Sequence, residues 1–303
     1  MISSGKRRKR LMSVLNRAFE SARKKNFKVV FPENTDQRMI DAAKFLEKEN
    51  LAKIIWLDRL KPSKVHEDII LKSRPKTSGK IIKRLLRKPL ILAAAMVQAG
   101  EADTMIAGIE SPTRRVIEAS AMTLSSNIFE KNYSSFFIMI CPDGRELIFS
   151  DCAVNVKMNV QILTSIALNA GRVAKKLFGR SEIAMLSFST GSSGEGETVS
   201  MVREATENVL KNGLDVFGPI QADAALSKSI SKTKGLENGG NANVLIFPSL
   251  DAGNISYKLC QELAGIQSIG PFLQGFTKPI CDLSRGASTE DVIAATVISL
   301  MMI

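Results

Sequence analysis

Histidine is nearly absent from this chain. Among 303 residues there is one, His66, set in a charged segment between Lys64 and Glu67. A general base needs positioned partners, and none is evident around it. A Ser-His-Asp hydrolase or a two-histidine metal centre would rest on that single side chain, so both are set aside. Aromatic residues are also few, 6% of the chain, and they do not interleave with the basic clusters. That argues against a base-stacking nucleic-acid surface. The four cysteines, Cys141, Cys152, Cys260 and Cys281, form no C-x-x-C pair. They read as free thiols of a cytoplasmic protein rather than as a metal or redox motif. No apolar run reaches eighteen residues, and the stretch Pro89 to Ala99 is too short to cross a bilayer. The basic run Lys6 to Arg10 has no apolar core after it, which argues against a secretory leader; it reads as an exposed helix start or a frayed end.

What is present is a globular composition, 45% hydrophobic and 24% charged, sufficient for a real core. The length suits two α/β domains or one large one. The formal charge is +12, with clusters at Lys6 to Arg10, Arg23 to Lys25 and Lys83 to Lys88. Most of this charge reads as solvated surface. An anionic small substrate is the partner class that it leaves open once nucleic acid and membrane are set aside.

Short apolar strands alternate with amphipathic helices, the pattern of a parallel α/β protein. Strands are expected at Lys28 to Phe31, Ala52 to Leu57, Thr104 to Gly108, Ile183 to Phe188, Val244 to Phe247, Ile269 to Leu273 and Pro279 to Leu283. A hairpin is expected from Ser135 to Ile140 and Glu146 to Phe149 around the turn Pro142-Asp143-Gly144. Helical spacing predicts Asp36 to Glu49, Lys80 to Leu86, Leu90 to Ala99, Arg114 to Thr123, Val160 to Phe178, Val199 to Lys211 and a last helix from about Thr289 to Ile303. Ser231 to Asn243, rich in Gly, Asn and Lys, reads as an exposed loop.

Ligands of open α/β sheets bind beyond the carboxyl ends of the strands, which singles out three loops. Ser187 to Gly196 (SFSTGSSGEG) joins a strand to a helix and offers glycines, hydroxyls and a helix N-terminus to an anion. It is neither a P-loop nor a Rossmann fingerprint, and a structural turn with a serine cap accounts for it equally well. Asp282 to Asp291 (DLSRGASTED) puts Ser284 and Arg285 at a strand end, where an arginine grips a phosphate with two parallel hydrogen bonds. Ser288-x-x-Asp291 is also a capping box, so Asp291 has both a helix-capping and a site reading. Gly108 to Arg115 (GIESPTRR) again brings hydroxyls and arginines to a helix start; a Ser-Pro turn with solvated arginines is the plain alternative.

Taken together, these segments resemble the phosphate acetyltransferase family over about Lys28 to Met302. The most specific stretches are Val30-Phe31-Pro32-Glu33, Gly100-Glu101-Ala102-Asp103, Ala184 to Thr190, Gln221 to Ala225, Ala242 to Pro248 with Gly253-Asn254, and Gly270-Pro271 with Asp282 to Gly286. The resemblance implies two three-layer α/β/α domains with a cleft between them, isocitrate/isopropylmalate dehydrogenase-like. It divides the chain into 1–130 plus 275–303 and 131–274. It implies a cytoplasmic homodimer with no tightly bound cofactor and no metal, whose substrates are coenzyme A and acetyl phosphate or phosphate. By position, Ser284, Arg285 and Asp291 match the family's catalytic serine, arginine and aspartate, and transfer is direct, without an acyl-enzyme. Substrate contacts are expected from Ser111, Thr113, Arg114 and Arg115, from Thr190, Ser192 and Ser193, and from Lys72 and Arg74. A phosphate butyryltransferase, or a non-catalytic anion- or coenzyme A-binding protein on the same scaffold, are the alternatives. The absence of the N-terminal extension of longer members implies the short, unregulated form. Three positions depart from the family pattern. Glu118 replaces an arginine implicated in coenzyme A binding, and Gly191 replaces a lysine. The segment before Leu71 is shortened, so that Leu71, Lys72 and Arg74 match a basic patch only approximately.

Overall fold

The computed structural model describes residues 13–58, 60–124, 132–236 and 239–303. The basic run Lys6 to Arg10 and the expected domain crossing at 130/131 lie outside them. One ten-stranded sheet runs through the molecule. Its strands in chain order are β1 (Lys28–Phe31), β2 (Lys53–Trp56), β3 (Thr104–Ala107), β4 (Ser134–Ile140), β5 (Glu146–Ser150), β6 (Ile183–Leu186), β7 (Val216–Ile220), β8 (Val244–Ile246), β9 (Gln267–Gln274) and β10 (Ile280–Asp282). Their spatial order is β2-β1-β3-β10-β9-β4-β5-β8-β6-β7.

The pairing sense explains where a site can form. The strands β2, β1, β3 and β10 are mutually parallel, and so are β5, β8, β6 and β7. Three antiparallel pairings separate the two groups, β10 with β9, β9 with β4 and β4 with β5. An odd number of reversals makes the two groups run in opposite directions. Register then fixes one row across the sheet: Phe31 sits level with Trp56, Ile106 pairs with Cys281, and Cys281 with Phe272. Phe272 pairs with Phe136, Phe136 with Ser150, Ser150 with Ile246 and Ile246 with Met185. Every parallel strand that crosses this row ends within one residue of it. The carboxyl ends of both groups therefore meet along one line.

Helices cover both faces. On one face lie α1 (Val14–Ala22), α2 (Gln37–Lys48), α7 (Val160–Phe178), α8 (Glu197–Lys211) and α12 (Thr289–Met301), and the apolar cluster beneath them is continuous from end to end. On the other face the layer is split. The helices α3 (Lys64–Ser73), α4 (Gly79–Leu85), α5 (Pro89–Ala99) and α6 (Thr113–Thr123) cover one cluster, while α9 (Ala222–Leu226), α10 (Lys228–Thr233) and α11 (Leu250–Ala264) cover a second. Strand alternation sorts the side chains: Phe31, Ile106, Cys281, Phe272 and Phe136 all enter the continuous core, so their neighbours Asp282 and Phe137 face the split layer. The gap between the two clusters is where a ligand can reach the strand ends.

The apolar stretch Pro89 to Ala99 is the buried helix α5, with every residue from Ile91 to Val97 inside. No helix of the described residues is long and apolar enough to cross a membrane. The expected exposed loop from Ser231 begins inside α10, and its last two residues, Ala242 and Asn243, are buried.

Candidate active site

The site is built from the segment between β1 and α2. The Glu33 carboxylate, 4% exposed, accepts the backbone N–H groups of Gly108, Ile109 and Ser111, each at 2.9 Å. The Thr35 hydroxyl donates to Glu110 at 2.5 Å. Three charge-assisted bonds, worth about 1.5–3 kcal/mol each, shape the loop that follows β3. Gly108 has φ +108°, and a side chain there would collide with Asp282 and the backbone of Leu283. Only glycine lets the two strand ends approach this closely.

The loop after β10 is held from the same segment. The Arg38 guanidinium donates to the carbonyls of Arg285 and Ala287 at 2.9 and 2.7 Å, and it is clamped in turn by Asp36 at 2.7 Å. That pair holds the Asp36 carboxyl below, and the Arg38 guanidinium above, its ordinary pKa. Across the gap, the buried Asp151 carboxylate accepts from the N–H groups of Ser135, Ala153, Val154 and Asn155 and fixes the loop that follows β5. Gly253 lets α11 lie on this loop, because a Cβ there would strike the carbonyl of Asp151.

Between these loops lies a cavity of about 290 Å³. Its first wall is Gly108, Ser111, Pro112 and Thr113; its second is Ala153 with Asn254, Tyr257 and Lys258 of α11; Phe137, Pro271 and Leu283 to Arg285 complete it. Pro112 stands at the cap position of α6 and no side chain caps that helix, so a helix N-terminus favourable to anions opens on the cavity. Two cations, Arg285 and Lys258, line the same space, and the Lys258 ammonium lies 5.1 Å from the centre of the Tyr257 ring. Hydroxyls, a helix start and two cations form an anion site of small-molecule size. All four thiols are pushed up in pKa by burial, the opposite of an activated nucleophile.

Two buried carboxyl groups meet behind Gly108, which lines the cavity. Glu33 has its donors, but Asp282, 1% exposed, has no hydrogen-bond partner on either oxygen. Burial pushes its pKa up to about 7; the nearby Thr113 side chain opposes the rise and the charge of Glu33 adds to it.

A model of the phosphate acetyl/butaryl transferase family matches residues 60–300. The phosphate acetyltransferase of Acetivibrio thermocellus is 33% identical over 95% of this chain and 97% of that protein. That of Clostridium acetobutylicum is 33% identical over 96% and 98%. The crystal structure of a phosphotransacetylase from Streptococcus pyogenes superposes with a TM-score of 0.88 at 31% identity, covering 95% of this chain and 97% of that one. The chain belongs to the phosphate acetyl/butaryl transferase family.

The expected site residues are only partly brought together. Ser284, Arg285, Ser111 and Thr113 come together in the cavity. Arg115 lines a neighbouring cavity of about 520 Å³ that also reaches Ser111 and contains Lys88 and Glu118. Arg114 is instead paired with Glu118 at 2.8 Å on the surface of α6. Thr190, Ser192 and Ser193 sit after β6, farther along the same row, in a turn closed on itself: Thr190 N–H donates to the Ser193 hydroxyl at 2.9 Å and Gly191 N–H to the Pro219 carbonyl at 2.9 Å. Gly191 in that turn is exposed. Lys72 and Arg74 are exposed at the end of α3, and neither they nor the Thr190 turn line the 290 Å³ cavity. Asp291 forms the capping box in full, accepting Ser288 N–H at 3.0 Å while its own N–H bonds the Ser288 hydroxyl at 3.2 Å, and it also accepts from the Gln267 amide at 3.3 Å. Sequence reasoning missed Asn254, Tyr257 and Lys258, because α11 was not among the expected helices. The cap Ser249 followed by Asp251 was its available signal.

Proposed function

We propose that this protein is a phosphate acetyltransferase that moves acetyl reversibly between acetyl phosphate and coenzyme A. The observation that carries the reading is the meeting of Ser284 and Arg285 with Ser111, Thr113 and the uncapped start of α6 in one anion-sized cavity. Arg285 holds the phosphoryl group and offsets the charge that grows on it; Ser284 donates to the oxygen of the tetrahedral intermediate. Asp291, in the first turn of α12 and outside the cavity's lining residues, is assigned the thiol proton at the cavity's edge, and each of its oxygens keeps a lone pair beyond its present bond. The thiolate adds to the acyl carbon, forming the C–S bond and the tetrahedral intermediate; its collapse breaks the bond between the acyl carbon and the phosphate oxygen, and phosphate leaves. A thiol of pKa about 8.5 needs only a modest base.

Arg115 and Lys88 in the second cavity are the contacts we assign to the coenzyme A phosphates, with Arg114 kept from that role by Glu118. We also assign the homodimer implied by the family, supported by the exposed apolar stripe Ile255, Leu259 and Leu263 on α11. The division into 1–130 plus 275–303 and 131–274 is part of the same proposal, supported by the two opposed groups of strands.

The test is thioester formation followed by ultraviolet absorbance, with coenzyme A and either acetyl or butyryl phosphate. Turnover with acetyl phosphate is expected. The ratio of the two rates assigns the acyl chain, since each methylene shifts a pocket's preference by about 1–3 kcal/mol. No turnover with either by folded protein would overturn the reading. The Asp291→Asn variant separates base from cap, because the asparagine Oδ1 can still accept the Ser288 N–H of the capping box but takes no thiol proton. Turnover at least about tenfold lower is expected; an unchanged rate makes Asp291 a helix cap only.

A further inference from the structure

Asp282 takes no part in that mechanism, yet its surroundings are those of a functional group. Its side chain leaves the last residue of β10 toward the cleft face, packed against Gly108. It is 1% exposed, and among the described residues no group is aligned to hydrogen-bond either oxygen, although the Thr113 hydroxyl is close by. A buried carboxylate without donors is costly, and native proteins do not retain one without compensation. The groups around it are few. Glu33 brings a negative charge from the segment after β1, and Thr113 brings a hydroxyl from α6. The flanking strands β3 and β9 carry no charged residue. Arg285 and Lys258 line the cavity above it. Glu290 and Asp291 stand in the first turn of α12, just after the β10 loop and outside the residues that line the cavity.

The Thr113 hydroxyl has one proton to give. An ionised Asp282 draws that proton toward itself, a bond not made in the present geometry, and leaves only a lone pair facing the cavity. A protonated Asp282 donates to the Thr113 oxygen and frees the hydroxyl to donate to an anion. A doubly charged group in the cavity also raises the cost of a second negative charge beneath it. Both effects favour the proton, and by linkage the proton favours the anion equally.

We propose that Asp282 is a positioning residue of the phosphoryl subsite: acting through Thr113, it holds a proton while a doubly charged phosphoryl group is bound and releases it when the group leaves. The inference rests on reading the cavity as the phosphoryl site.

Inorganic sulfate tests it, since sulfate stays doubly charged across the range and undergoes no reaction. Its affinity for the full-length protein is measured by calorimetry from about pH 6 to 9, for the natural chain and for the Asp282→Asn and Thr113→Val variants. For the natural chain the affinity falls roughly tenfold per pH unit above about pH 7. In each variant that slope is lost, and a merely structural carboxyl would not move it. Thr113→Val keeps the test open if Asp282→Asn does not fold. The same slope in both variants overturns the proposal, as does sulfate that fails to bind the natural chain or binds it without pH dependence. Thioester turnover with a flat sulfate profile removes the role of Asp282 and leaves the acetyltransferase reading intact. A sloped profile without turnover supports Asp282 and removes that reading.

Discussion

The loops that follow β3 and β10 lie side by side, and the same segment after β1 holds them by opposite chemistry. Glu33 takes three N–H groups of the first loop. Arg38 takes two carbonyls of the second. The first loop has spent its backbone donors on its own shape and offers the cavity only the hydroxyls of Ser111 and Thr113 and a helix start. The second has its carbonyls turned away, which leaves the Ser284 hydroxyl and the Arg285 guanidinium to the cavity. The difference assigns shape to the β3 loop and chemistry to the β10 loop. Changes in the first are expected to move stability, and changes in the second to move turnover.

Arg285→Ala is the largest expected effect. Its side chain is exposed and makes no hydrogen bond or ion pair with the described residues; what Arg38 binds of Arg285 is its carbonyl, which alanine keeps. Losing a transition-state charge partner costs about 2.7–4 kcal/mol, a hundred- to thousandfold fall in turnover. The melting temperature should hardly change. Near-normal turnover in the thioester assay would break the division between the two loops.

Glu33→Gln is expected to do the converse. A glutamine keeps one acceptor oxygen and turns an NH2 group toward donors that need an acceptor. One or more backbone N–H groups are left buried without a partner, at about 2–3 kcal/mol in all. Denaturant unfolding should report that loss, with faster hydrogen exchange at Gly108, Ile109 and Ser111. An unchanged unfolding midpoint would show that these bonds are not what shapes the loop.

Much of this was legible in the residues, and the failures share a cause. The helix α7 falls on Val160–Phe178 as its spacing predicts, because one face is apolar and the Asn159 side chain caps it. The hairpin β4–β5 follows from its turn residues. Ser284 and Arg285 were legible because a strand end, a glycine and a helix start flank them. The helix α11 was not, because Gly253 and Tyr257 form its buried face while Ile255, Leu259 and Leu263 stand exposed. Its apolar spacing and its packing face differ. The edge strand β7 contains Gly218 and Pro219, which break the strand pattern. Glu33 and Arg38 act on partners 75 and 247 residues away, and no local pattern carries that information. Asp282 could be placed at a strand end, but that it has no partner depends on packing.

Asp282→Asn sharpens the comparison by the sign of its effect on stability. In the native state this carboxyl titrates at about 7, against about 3.9 when unfolded. A raised pKa means that the folded state holds the proton more tightly. Its contribution to stability is complete below about pH 4 and is lost progressively as the pH rises to about 7. The full gap corresponds to at most about 4 kcal/mol. Asparagine removes that loss but buries an amide without partners, which takes back about 1–3 kcal/mol. The variant should therefore be no more stable than the natural chain at about pH 5 and more stable by about 1–2 kcal/mol at about pH 8. Unfolding in urea at both pH values reads the difference directly. A gain that is equal at the two pH values would mean that Asp282 does not titrate with folding. Glu33, with three donors on its oxygens, should show the opposite outcome, since its glutamine variant loses stability at about pH 8 as well.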